Sequence, residues 1–285
     1  MRKPRGRTAF VFAGGGSLGA VQVGMLEALL EAGVTPDFVV GSSVGALNAG
    51  FFAGDPTAGG VANLAAIWRD LRRRDVFPLT LRSALRWFGS ADALFESTNL
   101  RRLIERHLPY RNLEDAAIPV HVVATSLGGV QVRLSTGPAV EAILASAAIP
   151  VVFPAVEIGV EHLMDGAISG NTPVVTAAEL GAERLIVLPT GFACLPSGQA
   201  GGAVARGFHA LTLIIAHQMV RDLAHLSRAI QVVTVPNLCP LDVSPFDFSR
   251  TEMLMARAAR ETRAWIVGGG LSRQEVPGAL IPHSH

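Results

Sequence analysis

Twice near the N-terminus a short apolar run stops at a glycine-containing turn and gives way to a helical pattern, and this limits the fold more than any other feature. Thr8–Ala13 (TAFVFA) is short and rich in β-formers, which suits a strand buried on both faces, and it ends in Gly14-Gly15-Gly16. Ser17–Ala32 follows with helical content, and Gly33 marks its stop. Phe38–Val40 reads as the second strand and Val44–Phe52 as the second helix, broken at Asp55-Pro56. Strands alternating with helices predict a mostly parallel sheet and an α/β class.

The rest of the chain continues in this manner. Ala58–Leu108 is largely helical, with Ser97 or Thr98 placed to cap Asn99–Leu108. Val120–Ala124 and Val130–Leu134 are predicted strands joined at Gly128-Gly129, and Val140–Ala148 a short helix. Val156–Ile158 and His162–Met164 flank a turn at Gly159, and Leu185–Leu188 is a buried strand after a helix that ends at Gly181. Gly207–Ala229 reads as a long helix, Val232–Val235 as a last strand and Arg250–Val267 as a closing amphipathic helix. The expected organisation is a basic tail over 1–7, one domain over 8–270 and a flexible tail over 271–285.

Composition narrows the chemistry. With 24 basic against 23 acidic side chains there is no global electrostatic case for nucleic acid. Hydrophobic residues at 49% and charged residues at 16% supply a large core. Lys3, in the N-terminal tail, is the only lysine, which argues against a P-loop, a Schiff base or Ser–Lys chemistry. Cys194 and Cys239 form neither a CxxC pair nor a metal spacing, so a disulfide framework is excluded and a reducing cytoplasm fits. The longest apolar run, Ala142–Val156, holds Pro150 and Pro154 and falls short of the ~20 residues a spanning helix needs. A mean hydropathy of +0.39 nonetheless points to an apolar pocket or surface.

Gly14-Gly15-Gly16-Ser17-Leu18-Gly19 matches GxGxxG between strand and helix. Converging backbone N–H groups at a helix N-terminus stabilise negative charge, which suits a dinucleotide pyrophosphate or an oxyanion. A dinucleotide site wants an acid at the end of the second strand, and that place is taken by Gly41-Ser42-Ser43-Val44-Gly45. Gly41-x-Ser43-x-Gly45 is the spacing of a nucleophile elbow, in which a sharp turn projects the hydroxyl from the backbone. Gly15-x-Ser17-x-Gly19 has the same spacing, so the local pattern leaves both serines open. Ser43 is preferred, because Ser17 suits a helix N-cap and its preceding glycines suit N–H donation.

A serine needs a base. Of the histidines after the elbow (His107, His121, His162, His209, His217, His225, His283 and His285) none stands in a recognisable loop motif. Asp165-Gly166-Ala167, after the apolar stretch Val151–Met164, reads either as an ordinary turn or as a carboxylate acting directly on the serine.

The glycine loop, the Gly41–Gly45 elbow and Asp165-Gly166-Ala167, in this order, resemble the patatin-like phospholipase family. Ala145-Ser146-Ala147-Ala148-Ile149-Pro150 with Phe153-Pro154 is similar to the family's Ala-Ser-x-Ala-x-Pro…Phe-Pro stretch, and Asn171-x-Pro173 to its Asn-x-Pro. The likeness runs from Thr8 to Pro189. It implies a three-layer α/β/α fold with a mostly parallel central sheet, and hydrolysis of fatty acyl esters with no metal and no cofactor. It implies Ser43 as nucleophile, Asp165 as proton acceptor with no histidine required, and Gly14, Gly15 and Gly16 as the oxyanion loop, joined by the amide of Val44. Gly19, Gly41, Gly45, Gly166 and Ala167 complete the motif positions. Many members carry Arg or Lys where Leu18 stands, which puts the head-group preference in doubt.

The implied partner is a lipid or small ester, not nucleic acid. The expected location is cytoplasmic, with peripheral membrane contact left open. Arg72-Arg73-Arg74 with Phe77, Leu79, Leu81, Leu85, Trp87 and Phe88 reads as a lid or lipid-docking surface, or as a helical cap on the core, packing being the commoner role. Two alternatives remain: an α/β-hydrolase-like esterase with a Ser–Asp–His triad, and a nucleotide-binding or non-catalytic protein built on the glycine loop.

Overall fold

The computed structural model describes residues 6–77, 93–191, 214–215 and 217–273. Its strands are β1 (Thr8–Phe12), β2 (Phe38–Ser42), β3 (Val120–Ser126), β4 (Gln131–Leu134), β5 (Val156–Ile158), β6 (Glu161–Met164), β7 (Arg184–Leu188) and β8 (Gln231–Thr234). They form one eight-stranded sheet in the order β5-β6-β3-β2-β1-β7-β8, with β4 also paired to β3. The run from β3 to β8 is parallel, whereas β4 and β6 pair antiparallel with β3, and β5 with β6. Among the described residues the helices include α1 (Ala20–Glu31), α2 (Val44–Gly54), α3 (Ala58–Asp70), α4 (Arg73–Val76), α5 (Thr98–His107), α6 (Ala139–Ser146), α7 (Ala167–Gly170), α8 (Val174–Glu179) and α9 (Thr251–Val267). Residues 217–225 of the helix expected over Gly207–Ala229 are helical, while 207–213 and 216 lie outside the described residues.

The central strands are apolar on both faces because both faces are covered. Phe10 and Phe12 of β1, Val39 of β2 and Ile186 and Leu188 of β7 pack with α1, α2, α3 and α9 in one core cluster. Their alternate neighbours Ala9, Val11, Phe38, Val40, Leu185 and Val187 pack with Val174 and Ala177 of α8 and with Met219 in another. The three layers are therefore α/β/α. Helix α1 is buried around most of its circumference, and it meets α9 so closely that a Cβ on Gly24 would run into the carbonyl oxygen of Met255.

Most predicted elements appear within a residue or two of their expected bounds. The helix expected from Ser17 differs: Gly16–Gly19 is a 3₁₀ turn and α1 begins only at Ala20. Ser97 stands at the N-cap of α5 but makes no capping hydrogen bond with its side chain. Of the basic and apolar stretch, α4 and Phe77 are described. Phe77 is buried among Phe95, Phe153, Phe246 and Phe248, whereas Leu79, Leu81, Leu85, Trp87 and Phe88 lie outside the described residues. Among the described residues no helix is long and apolar enough to cross a membrane.

Candidate active site

The carboxyl ends of β1 and β2 lie side by side, with Phe12 in register with Gly41, and both glycine turns leave the sheet at this edge. In open α/β sheets this is where ligands bind. At the end of β2 the chain turns into α2 through Ser43, whose φ of 55° and ψ of −128° are costly for a residue with a side chain. Two glycines permit the turn: a Cβ on Gly41 would run into the backbone of Gly45, and one on Gly45 into the carbonyl oxygens of Phe12 and Ala13. The Ser43 N–H donates to Ser146 Oγ at 2.8 Å.

Asp165 follows β6, which pairs with β3, the strand next to β2. Its backbone is held on both sides: the N–H donates to the Ala148 carbonyl at 2.9 Å, and the carbonyl accepts from Thr125 Oγ1 at 2.9 Å. Across 122 residues of chain, the Ser43 hydroxyl donates to Asp165 Oδ2 at 2.7 Å. The Ala167 N–H donates to the other oxygen, Oδ1, at 2.8 Å. Both side chains are buried, Asp165 at 3% exposure and Ser43 at 6%. Burial pushes the Asp165 carboxyl up to about 6, although the Ala167 N–H and the Ser43 hydroxyl pull the other way. A carboxylate with its acidity so reduced is a better base than one in water.

The glycine loop lies against this pair. A Cβ on Gly14 would sit 2.5 Å from Asn171 Oδ1 and 3.0 Å from Ser43 Cβ. Gly14 takes a different part from the one its motif position suggests, because its N–H donates to the Asn171 carbonyl at 3.0 Å while its own carbonyl accepts from Thr190 Oγ1 at 2.6 Å. Among the described residues, the N–H groups of Gly15, Gly16 and Val44 have no such acceptor, and Gly16 and Val44 each open a helical turn. Free N–H groups at the start of a helical turn are the kind of donor that stabilises an anion. The remaining motif positions are structural in their contacts. The Gly19 carbonyl accepts from Asn48 Nδ2 at 2.9 Å, and the Gly166 N–H donates to the Ser146 carbonyl at 3.1 Å.

Ser17 is not an N-cap. It is fully buried within the 3₁₀ turn, its N–H donating to the Pro245 carbonyl at 2.8 Å and its hydroxyl to the Ser244 carbonyl at 3.1 Å. Leu18 is buried in the core. Of the histidines, the described ones (His107, His121, His162, His217 and His225) make no hydrogen bond to Ser43 or Asp165. His121 instead pairs with Ser135 Oγ at 2.7 Å, and burial holds its imidazole down to about 4. His209, His283 and His285 lie outside the described residues.

Reading the residues alone gave no role to Ser146, Thr125 or Asn171, which secure the elbow, the aspartate turn and the glycine loop. The carboxamide of Asn171 is buried and has no hydrogen-bond partner among the described residues. Only the Ala-Ser-x-Ala-x-Pro and Asn-x-Pro likenesses marked two of these positions.

The chain is similar over 186 residues to the patatin-like phospholipase domain-containing protein 7 of Rattus norvegicus, at 27% identity. The match covers 64% of this chain and 13% of that much longer protein. An uncharacterised NTE family protein of Mycobacterium bovis is 30% identical over 183 residues, covering 64% of this chain and 48% of its own. Among solved structures, human GIVD cytosolic phospholipase A2 resembles the chain at 13% identity and a TM-score of 0.49, over 98% of this chain and 60% of that one. The family model for patatin-like phospholipase matches residues 10–178, more than half of the chain and the span that carries both glycine turns and Asp165. On that match, with the elbow and the aspartate turn meeting where the motifs require, the chain belongs to the patatin-like phospholipase family.

Proposed function

We propose that this chain is a serine lipid acyl hydrolase of the phospholipase A or esterase type, working through Ser43 and Asp165 without a histidine. The observation that carries the reading is the 2.7 Å hydrogen bond from Ser43 Oγ to a buried carboxylate whose acidity burial has reduced. In the first step Ser43 Oγ attacks the ester carbonyl carbon while Asp165 Oδ2 accepts its proton. The tetrahedral oxyanion is met by the N–H groups of Gly15, Gly16 and Val44, each such donor being worth about 3–4 kcal/mol in the transition state. Asp165 returns the proton to the departing alcohol, which leaves an acyl-enzyme on Ser43. Water activated by the same carboxylate then releases the fatty acid.

Family membership and the apolar surroundings support an acyl substrate. Trp68 stacks on Phe248, and Phe77 meets Phe153, Phe246 and Phe248, in a group of rings joined to the glycine loop where Gly19 abuts Trp68 and Val44. With Leu18 buried in the core, that position brings no cation to a phosphate head group. Head-group selection, in this reading, does not depend on a charge in the glycine loop.

The test is hydrolysis of p-nitrophenyl esters of several lengths and of phospholipid vesicles, together with labelling by a fluorophosphonate. Wild type should turn over the esters and carry the label on Ser43. A label on another residue, or full activity in Ser43→Ala, would sink the reading.

A further inference from the structure

Ser146 ends helix α6 and is fully buried. Its hydroxyl oxygen accepts the Ser43 N–H at 2.8 Å, and its own hydrogen goes to the Val123 carbonyl at 2.5 Å. Val123 lies on β3, in register with Ser42, the residue before the elbow. The backbone carbonyl of Ser146 accepts the Gly166 N–H at 3.1 Å, one residue beyond the aspartate. One residue thus touches the main chain of the serine turn, the strand beside it and the aspartate turn.

A hydroxyl has one hydrogen to give, so the sequence of donors runs in a single direction, from Ser43 N–H through Ser146 to the Val123 carbonyl. Ser43 holds the costly φ of 55° at the elbow, an angle that sets its side chain relative to its own N–H, and Ser146 is the partner of that N–H. We propose that Ser146 is a positioning residue that sets the Ser43–Asp165 pair by holding both turns from one side. The proposal rests on the catalytic reading of Ser43 and Asp165. It also explains why the amide of Ser43 takes no part in the oxyanion site: that N–H is already committed.

Removing the Ser146 hydroxyl leaves a buried N–H and a buried carbonyl without partners, and the elbow relaxes to recover hydrogen bonds for them. Ser43 Oγ then loses its aim on Asp165. The Ser43 hydroxyl and the Ala167 N–H are the two groups that hold the Asp165 carboxyl down against burial. No charged side chain from β2, β3, α6 or the glycine loop acts on it. Loss of the Ser43 contact therefore raises the pH at which Asp165 ionises. A side chain that only filled space would lower activity or stability and leave that midpoint alone.

The experiment compares wild type, Ser43→Ala and Ser146→Ala on a p-nitrophenyl ester across pH, with melting curves and fluorophosphonate labelling rates. For Ser146→Ala, kcat should fall about 10- to 100-fold with KM within about threefold, and labelling should slow in parallel. The acid limb of kcat/KM should move upward by about half a pH unit or more. If Ser146→Ala does not fold, Ser146→Cys, which keeps a weak donor and acceptor, must show the same upward movement. An unmoved acid limb in whichever variant folds, or wild-type kcat, overturns the proposal. Activity in Ser43→Ala would instead overturn the catalytic reading beneath it, and an inactive Ser43→Ala beside a fully active Ser146→Ala would remove the positioning role alone.

Discussion

Two turns in this molecule carry the same letters at the same spacing. Gly15-x-Ser17-x-Gly19 and Gly41-x-Ser43-x-Gly45 both follow a buried parallel strand and both open a helix. Their serines end in opposite situations. Ser17 sits in a 3₁₀ turn with its N–H and hydroxyl both consumed by the carbonyls of Pro245 and Ser244. Ser43 sits at a positive φ with its hydroxyl on a carboxylate. The difference lies in what faces each turn: two carbonyls of the loop after β8 in one case, an aspartate and a serine in the other. A hydroxyl whose hydrogen goes to a peptide carbonyl has no base to receive it, so in the proposed function one turn is a support and the other the reaction centre.

The largest test of this contrast replaces each serine in turn. Ser43→Ala should lower ester hydrolysis by about a thousandfold or more, whereas Ser17→Ala should stay within a few-fold of wild type, as read by kcat/KM. Equal losses would erase the distinction. On the glycine side, Gly16 holds φ +59°, and a Cβ there would lie 2.5 Å from the Pro245 carbonyl oxygen. Gly16→Ala should therefore displace the proposed oxyanion donors and lower kcat by about a hundredfold, with a smaller change in KM.

A milder probe is pH. In the proposed mechanism Asp165 must be ionised to accept the proton, so kcat/KM should rise about tenfold per unit up to a midpoint near the value of about 6 set by burial, and level off above it. A midpoint near 4 would mean that the carboxylate is solvated. The smallest effect concerns stability. Because the folded carboxyl ionises at a higher pH than the unfolded one, its contribution to stability is complete below the unfolded value and is lost as pH rises through about 6. Asp165→Asn, which cannot ionise, should thus melt roughly 3–6 °C above wild type at pH 8, with the gap closing toward pH 4. Ser17→Ala should show no such pH-dependent gain.

The β1 and β2 strands, the turns after them and the closing helix were legible because each is marked locally, by an apolar run ended by glycine or by helical spacing. Ser43 was preferred over Ser17 on the same grounds, yet those grounds were incomplete. Ser244 and Pro245, which occupy Ser17, lie 227 residues away in the case of the hydroxyl contact. No short window contains that information. The Ser43–Asp165 contact spans 122 residues, and an aspartate on a glycine turn has an ordinary reading, so only the family likeness joined the two. Gly14 looked like a donor for the same reason that Gly15 and Gly16 did. What removes it from that set is the Asn171 carbonyl, brought in by the segment after Asp165. The late start of α1 has a similar origin, since contacts to residues 244–245 fix the preceding turn.

The amide of Ala167 has a further consequence. It holds Oδ1 of Asp165, so Oδ2 is the oxygen turned toward the alcohol. In the proposed reaction acylation and deacylation both draw on that oxygen, so incoming water is activated there after the departing alcohol has left. In the proposed reaction the acyl-enzyme is open to whichever nucleophile reaches Oδ2 first, and another alcohol that did so would collect the acyl group in place of water.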